Sequence, residues 1–335
     1  MVIRAGNLMP QIAEAENLYL AVVKAARGKR HQEIVQRFLA GVHDEVRRLG
    51  SELLNGTVRV GEYRRFVIHD PKRRIIHAAP FCERVLHHAI FNVCEPVFER
   101  ALISDTFACR LGKGKHAAWR RAQDFCARFA VYAKLDVRRY FDSIDHELIE
   151  QRLERLLKDK ALLDLLRRMV ASYQTAPGRG LPIGTLVSQH CANLYLGVLD
   201  RFVKEELRVK GYLRYMDDSV LWAKDPVTVR RWSDEIAGML GERLHLSLKP
   251  PIRYGRTADG VPLLGGRVFA GTVLPDRRTR RRVKARVREL EMAFSEGRIS
   301  ESELERRIGS VFAAIAATKC LRWRRRVVGA TNRVW

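Results

Sequence analysis

The chain has no pair of cysteines at CxxC spacing; its six, Cys82, Cys94, Cys109, Cys126, Cys191 and Cys320, are scattered over 335 residues. A zinc site or a disulfide framework needs thiols that are clustered or regularly spaced, so both are disfavoured and the cysteines read as small core residues. Long apolar runs are missing too. A membrane span needs about 18 consecutive apolar residues. The run Leu18 to Ala26 is short and follows Glu14 and Glu16, so neither a span nor a secretory leader is expected and the chain reads as cytoplasmic. The phosphate-loop order GxxxxGK followed by Ser or Thr does not occur. Acid is scarce: 38 Asp and Glu face 62 Lys and Arg, a formal charge of +24. That excess goes far beyond solubility and points to a polyanionic partner, nucleic acid before anionic membrane. No amphipathic stretch sets bulky aromatics opposite lysines, which argues against a protein of the membrane surface.

What is present suffices for a globular protein: 47% of residues are hydrophobic, enough to core one large domain or two to three smaller ones. Residues 8 to 55 carry apolar positions at threes and fours, predicting two helices around the break Arg27-Gly28-Lys29-Arg30. From Thr57 to Ile76 the period shifts to two, and a basic cluster, Lys72, Arg73 and Arg74, falls on a predicted strand pair. Ala79 to Phe98 reads as a helix with Arg84 and His88 on one face; His87 and His88 lack ligand-spaced partners and read as packing residues. The loop FACRLGKGKH, Phe107 to His116, has glycines and cations that suit a phosphate chain. Tyr132 to Val137 is a predicted strand with Asp136 near its carboxyl end, where an unpaired acid is costly unless it binds metal or a cation. Leucine-rich helices follow from His146 to Tyr173. The Gly- and Pro-punctuated loop Thr175 to Gln189 feeds a helix predicted over Ser188 to Lys204, whose first turn can meet an anion.

In GYLRYMDDSVLWAK, Gly211 to Lys224, two β-forming arms flank adjacent carboxylates, Asp217 and Asp218, with a tight turn over Met216 to Ser219. Alone this is a polar turn, since Asp is common there. Set beside Asp136, it becomes an oxygen-only site for a hard divalent cation. Ser233 to Leu244 reads as a helix; Leu246 to Lys249, and Val261 to Phe269 with its Gly-Gly break, each read as a strand. Beyond Pro275 the composition changes to a small helical unit: Arg277 to Arg288 holds eight cations in twelve residues, and Trp323 and Trp335 are interleaved with further arginines. Unipolar charge with aromatics suits a phosphate backbone and stacked bases.

Four motifs stand in one order: KLDVRRYFDSIDH at Lys134 to His146, GLPIGTLVSQ at Gly180 to Gln189, YMDD at Tyr215 to Asp218 and VPLLGGRVF at Val261 to Phe269. Together they resemble the reverse transcriptases over nearly the whole chain. Ile183-Gly184 with Ser188-Gln189, HAAPFCERVLHHAI at His77 to Ile90 and FACRLGKGKHAA at Phe107 to Ala118 most resemble the enzymes of diversity-generating retroelements, in the group II intron-like lineage. Asp142 departs from the pattern, where the family has Pro after the aromatic pair.

The resemblance implies an α+β, right-hand polymerase fold. Fingers would span residues 1–130 and 144–187, the palm 131–143 and 188–272 with an antiparallel sheet backed by helices, and a basic helical thumb 275–335. It implies RNA-directed DNA synthesis from an element-encoded template RNA, error-prone at template adenines, with two Mg²⁺ ions (Mn²⁺ as a substitute) on Asp136, Asp217 and Asp218. It further implies that Arg73 or Arg74 holds the triphosphate of a deoxynucleotide, that Phe141 excludes a 2′-hydroxyl, and that Ile183 and Gly184 line the nascent pair where retroviral relatives carry a glutamine. Lys249 would donate a proton to pyrophosphate. Arg84, Arg277, Arg278, Arg281, Lys284 and Arg288 would contact nucleic acid, template RNA or cDNA. A small basic oligomeric accessory protein, a bacterial or phage origin and no RNase H or endonuclease activity are also implied. Two alternatives are a retron- or intron-like enzyme of defence or mobility and a non-catalytic RNA-binding scaffold.

Overall fold

The computed structural model describes residues 4–69, 73–313, 315–321, 323, 324 and 327. Lys72, Arg322, Arg325, Arg326, Arg333 and Trp335, which contribute to the basic clusters of the sequence, lie outside the described residues.

Short helices open the chain: α1 (Met9–Ala13), α2 (Ala15–Ala26), α3 (Glu33–Ala40) and α4 (Val42–Leu54). One stripe of α2, Leu18, Ala21, Val22 and Ala25, is buried in the same core as Val85, Leu86, Ala89 and Ile90 of a long helix, α5 (Phe81–Ala101). Between them in sequence comes an antiparallel ribbon, β1 (Arg64–Ile68), mostly exposed, and β2 (Arg74–Ala78), mostly half-buried or buried. After α6 (Lys115–Arg128) and β3 (Val131–Asp136) come α7 (Tyr140–Ser143), α8 (His146–Leu156) and α9 (Lys160–Ala171). Asp145 and Asp159 cap α8 and α9 by accepting from the backbone N–H of Leu148 and Leu162.

The predicted helix over Ser188 to Lys204 is in fact α10 (Leu186–Tyr195), α11 (Gly197–Arg201) and a π turn, Phe202–Glu206. It begins two residues early because the Thr185 side chain caps it, accepting from Ser188 N–H at 3.2 Å. Three further strands join β3 in the four-stranded central sheet: β4 (Gly211–Tyr215) and β5 (Asp218–Ala223) pair as a hairpin, β5 pairs β3, and after α12 (Pro226–Leu244) the strand β6 (Arg253–Arg256) pairs the other edge of β3. Helix α12 starts seven residues before the predicted Ser233, at an Asp225 cap followed by Pro226 at its first position.

Leu246 to Lys249 is not a ladder strand. It lies beside the end of β3, where Ser247 C=O accepts from Arg138 N–H and Asp136 C=O accepts from Lys249 N–H. Val261 to Phe269 is a hairpin rather than one strand: β7 (Val261–Leu263) and β8 (Gly266–Phe269) meet at Leu264-Gly265, both with positive φ (49° and 76°), as a two-residue type I′ turn requires. Strand β9 (Thr272–Pro275) completes this sheet, and α13 (Arg277–Ser295) and α14 (Glu301–Ala313) follow. In α13, Val283, Val287 and Leu290 face inward while Arg277, Arg278, Arg281, Lys284 and Arg288 are exposed.

Strand pleating divides the core. Paired residues share a face, so Tyr132, Leu213, Val220 and Trp222 stand together on one side, packed with Trp119 and Phe125 of α6 and with Val261, Leu263 and Val268. Val131, Ala133, Leu135 and Leu221 fall on the other side and join the core with α10, α11 and α12. Among the described residues no helix is long and apolar enough to cross a membrane.

Helix α10 meets α5 through His190, buried and stacked on Phe91 with ring centroids 3.8 Å apart. Burial pushes the His190 imidazole down to about 4. A histidine depressed in the fold binds its proton more readily when unfolded, so its contribution is fully present above pH ~6.5 and is lost as pH falls from there towards 4. At pH 5 the loss should be about 2 kcal/mol, at roughly 1.4 kcal/mol per pH unit. Urea unfolding at pH 7 and pH 5 checks this, because His190→Leu should remove that share of the pH dependence.

Candidate functional site

On the face of the central sheet that packs against α6, the apolar cover ends and acids begin. Asp136, the last residue of β3, is the register partner of Asp218, the first residue of β5, and Asp217 occupies the turn beside them. The turn is tighter than the sequence suggests: Tyr215 pairs with Asp218, leaving only Met216 and Asp217 as loop, with Asp218 and Ser219 already in the strand. Met216 adopts a φ of 57°, a left-handed conformation that an ordinary side chain takes at a cost of about 1 kcal/mol.

A buried network holds that turn. Arg214, fully buried on the opposite face of β4, donates from Nη1 to the Met216 carbonyl at 3.0 Å and to Asn193 Oδ1 at 3.1 Å. Its Nε and Nη2 grip Asp200 of α11 at 2.8 and 2.6 Å, and Tyr212 Oη donates to the same carboxylate. The sequence reading missed this network. Its signal is one charge, Arg214, at an alternating position of an otherwise apolar strand.

Around the acids the charge balance is incomplete. Lys134 Nζ lies 3.1 Å from Asp218 Oδ2, and Lys249 Nζ lies 3.6 Å from Asp136 Oδ2. Burial first, then the negative charges of Asp218 and Asp136, push the Asp217 carboxyl up to about 6, with Arg74 pulling the other way. Among the described residues no three His, Cys, Asp or Glu side chains are already gathered as a closed ligand cluster. The donors nonetheless suit a hard divalent cation: they are carboxylates alone, and Asp136 and Asp218 are register partners with Asp217 in the turn beside them.

The ribbon docks on the loop before α10. His77 N–H of β2 donates to the Ile183 carbonyl at 2.9 Å. Gly184 has φ of 119°, and a Cβ there would lie 2.8 Å from Ile76 Cγ2 and 3.3 Å from the His77 carbonyl oxygen, so glycine is what lets the strand dock. Docking brings exposed Arg74 close enough for its charge to act on Asp217, whereas Arg73 is exposed just before β2. Ile183 and Phe141 are half-buried, and Phe141 C=O accepts from Leu181 N–H at 2.8 Å, tying α7 to the loop.

Two sequence expectations land elsewhere. Arg84 Nη2 donates to the Ala25 carbonyl at 2.6 Å and its guanidinium stacks over Phe81, so it is engaged between α2 and α5. The loop from Phe107 covers the outer edge of β4, with Phe107 N–H donating to the Arg214 carbonyl and Arg214 N–H to that of Asp105. Its Arg110 is spent on Glu99 and Lys113 on the Ser104 carbonyl. His87 and His88 are packing residues as expected; burial pushes His88 down to about 4, and His87 lies 3.5 Å from buried Glu83.

Residues 70–250, more than half of the chain, match the family model "Reverse transcriptase (RNA-dependent DNA polymerase)", and the chain belongs to that family. Curated relatives include a putative COX1/OXI3 intron 1 protein of Saccharomyces cerevisiae, 21% identical over 171 residues that cover 48% of this chain and 20% of the relative. Protein YkfC of Escherichia coli is 22% identical over 239 residues, 66% of this chain and 58% of its own length. The chain spans about a fifth of the length of the yeast intron proteins that it matches. Among solved structures, telomerase of Candida albicans bound to a fragment of telomeric RNA aligns with a TM-score of 0.50 at 10% identity, over 78% of this chain and 58% of that one. The fold is therefore the right-hand polymerase fold, an α+β arrangement with antiparallel sheets.

Proposed function

We propose that this chain is an RNA-directed DNA polymerase that copies a template RNA into cDNA from deoxynucleoside triphosphates. The observation that carries the reading is the convergence of Asp136, Asp217 and Asp218 at the end of one sheet, facing Arg74 and the Ile183-Gly184 loop. Asp136, Asp217 and Asp218 would hold two Mg²⁺ ions, which when bound supply Lewis acidity for in-line displacement of pyrophosphate. Arg74, helped by Arg73, orients the triphosphate; its field at Asp217 supports this choice between the two. Phe141, Ile183 and Gly184 would shape the nucleotide pocket, and Lys249, 3.6 Å from Asp136, would protonate the leaving group. In this reading residues 1–130 and 144–187 are fingers, 131–143 and 188–272 palm, and 275–335 thumb. The exposed arginines and lysine of α13 track the nucleic-acid backbone. An intact set of acids disfavours a non-catalytic scaffold.

Within this class we read the chain as the enzyme of a diversity-generating retroelement, bacterial or phage-encoded, working with an element RNA and a small basic oligomeric accessory protein. A retron- or intron-type enzyme shares the chemistry and differs in its RNA. The supporting feature is Ile183, half-buried beside Gly184, whose side chain offers apolar contact without a hydrogen bond. A missing polar contact is worth about 1 kcal/mol, roughly fivefold to tenfold in selection. Ile183→Gln is therefore expected to lower misincorporation, chiefly opposite template adenine, by about that factor while keeping activity. Sequencing cDNA made by both enzymes on one template decides it; equal error spectra remove Ile183 from the explanation.

A further inference from the structure

On the side of the central sheet away from the acids, a cavity of about 590 Å³ opens between α8, α10, α11 and the chain's first described residues. Arg4, Arg152, Arg155 and Arg201 line it, over an apolar floor that includes Leu194 and Val198. Glu154 is the acid in its wall, and that carboxylate is already engaged by Arg167. Arg4 spends one N–H on the Glu154 carbonyl. Arg152, half-buried, is depressed first by burial and then by the positive charges of Arg155 and Arg201. Four guanidiniums around one concavity, Arg152 half-buried and the other three exposed, with no acid partner among the described residues, repel one another, an arrangement that an anion relieves.

We propose that this cavity is a second nucleic-acid contact, a phosphate-binding site that seats the backbone of an RNA strand on the helical side of the palm. Guanidinium forks match phosphate oxygens bidentately, and the cavity has room for more than one phosphate. Beyond Gln151 and the Glu154 carboxylate, which Arg167 already engages, the lining offers no side-chain amide or acceptor to read a base, so the contact is to backbone and independent of sequence. It lies across the sheet from Asp136 and Asp218, and so it anchors RNA without entering the chemistry.

The test is the salt dependence of binding of a single-stranded oligouridylate to the full chain and to R152Q/R155Q/R201Q, with primer extension measured in parallel. Three lost phosphate contacts should flatten the slope of log K against log salt by about 2. Affinity at physiological salt should fall about tenfold or more, while kcat at saturating template and primer stays unchanged and KM for template rises. R201Q alone, at the exposed last residue of α11, should flatten the slope by about a third of that and guards against misfolding of the triple variant. An unchanged slope in both variants overturns the proposal, as does a fall in kcat with no change in RNA affinity. If the wild-type chain binds RNA yet extends no primer, the polymerase reading falls while the slope still reports on the cavity.

Discussion

Asp217→Asn is expected to abolish cDNA synthesis while leaving RNA affinity within about twofold. Asparagine keeps the shape of the side chain and removes its charge. Metal-assisted stabilisation of the transition state is worth several kcal/mol, and at about 1.4 kcal/mol per factor of ten the loss should reach about a thousandfold. The structure also supplies a control against trivial unfolding. Because burial and neighbouring acids push the Asp217 carboxyl up to about 6, its ionised form opposes folding at neutral pH. The sign follows from linkage: a carboxyl raised in the fold loses stability as pH rises through the interval from its unfolded value to about 6. Asp217→Asn should therefore melt no lower than wild type at pH 7. An inactive variant with reduced thermal stability would point to misfolding instead of lost chemistry.

The second large effect is expected at a residue that never touches substrate. Arg214 and Asp200 are both fully buried, and the guanidinium also carries the Met216 and Asn193 carbonyls. Removing one partner of a buried pair leaves an uncompensated charge, typically at a cost of about 3–5 kcal/mol. Arg214→Met should lose stability on that scale in urea unfolding. The double variant with Asp200→Asn should recover much of it, since the stranded carboxylate is gone. Activity should not recover with it, because neither variant restores the donor that holds the left-handed Met216 turn and so positions Asp217. Arg214→Lys separates charge from geometry: it keeps the positive charge and loses the fork, so it should fold better than Arg214→Met yet show a reduced kcat with little change in KM. If kcat tracks stability across all three variants, Arg214 is structural only.

The acids were legible in the sequence because they break local patterns: Asp136 ends an apolar strand, and Asp217-Asp218 interrupt a β hairpin. The helices were legible where apolar spacing was regular, as in α2 and α5, and less so where a side-chain cap sets the start, as at Thr185 and Asp225. Strand β6 escaped notice because Arg253-Tyr254-Gly255-Arg256 has no apolar alternation and gains its place by pairing with β3, a long-range interaction. The Gly265-Gly266 pair was read as a break within one strand, whereas two successive positive φ values at Leu264-Gly265 turn the chain back. The basic loop from Phe107 was misleading for a related reason. Composition shows that cations are present, but only packing shows that Arg110 and Lys113 are bound internally while Arg277, Arg281, Lys284 and Arg288 of α13 are exposed. Arg84 is a further instance, since its carbonyl partner at Ala25 comes from another helix.

The central claim is that Asp136, Asp217 and Asp218 form one centre for RNA-templated DNA synthesis. Its most direct measurement is extension of a labelled DNA primer on an RNA template by the purified chain, with all four deoxynucleotides, Mg²⁺ and a matched reaction containing a chelator. The account predicts DNA whose sequence is complementary to the template, none with chelator, and none from the Asp136→Asn chain with Mg²⁺ restored. Template-complementary DNA made at an undiminished rate by Asp136→Asn would contradict it.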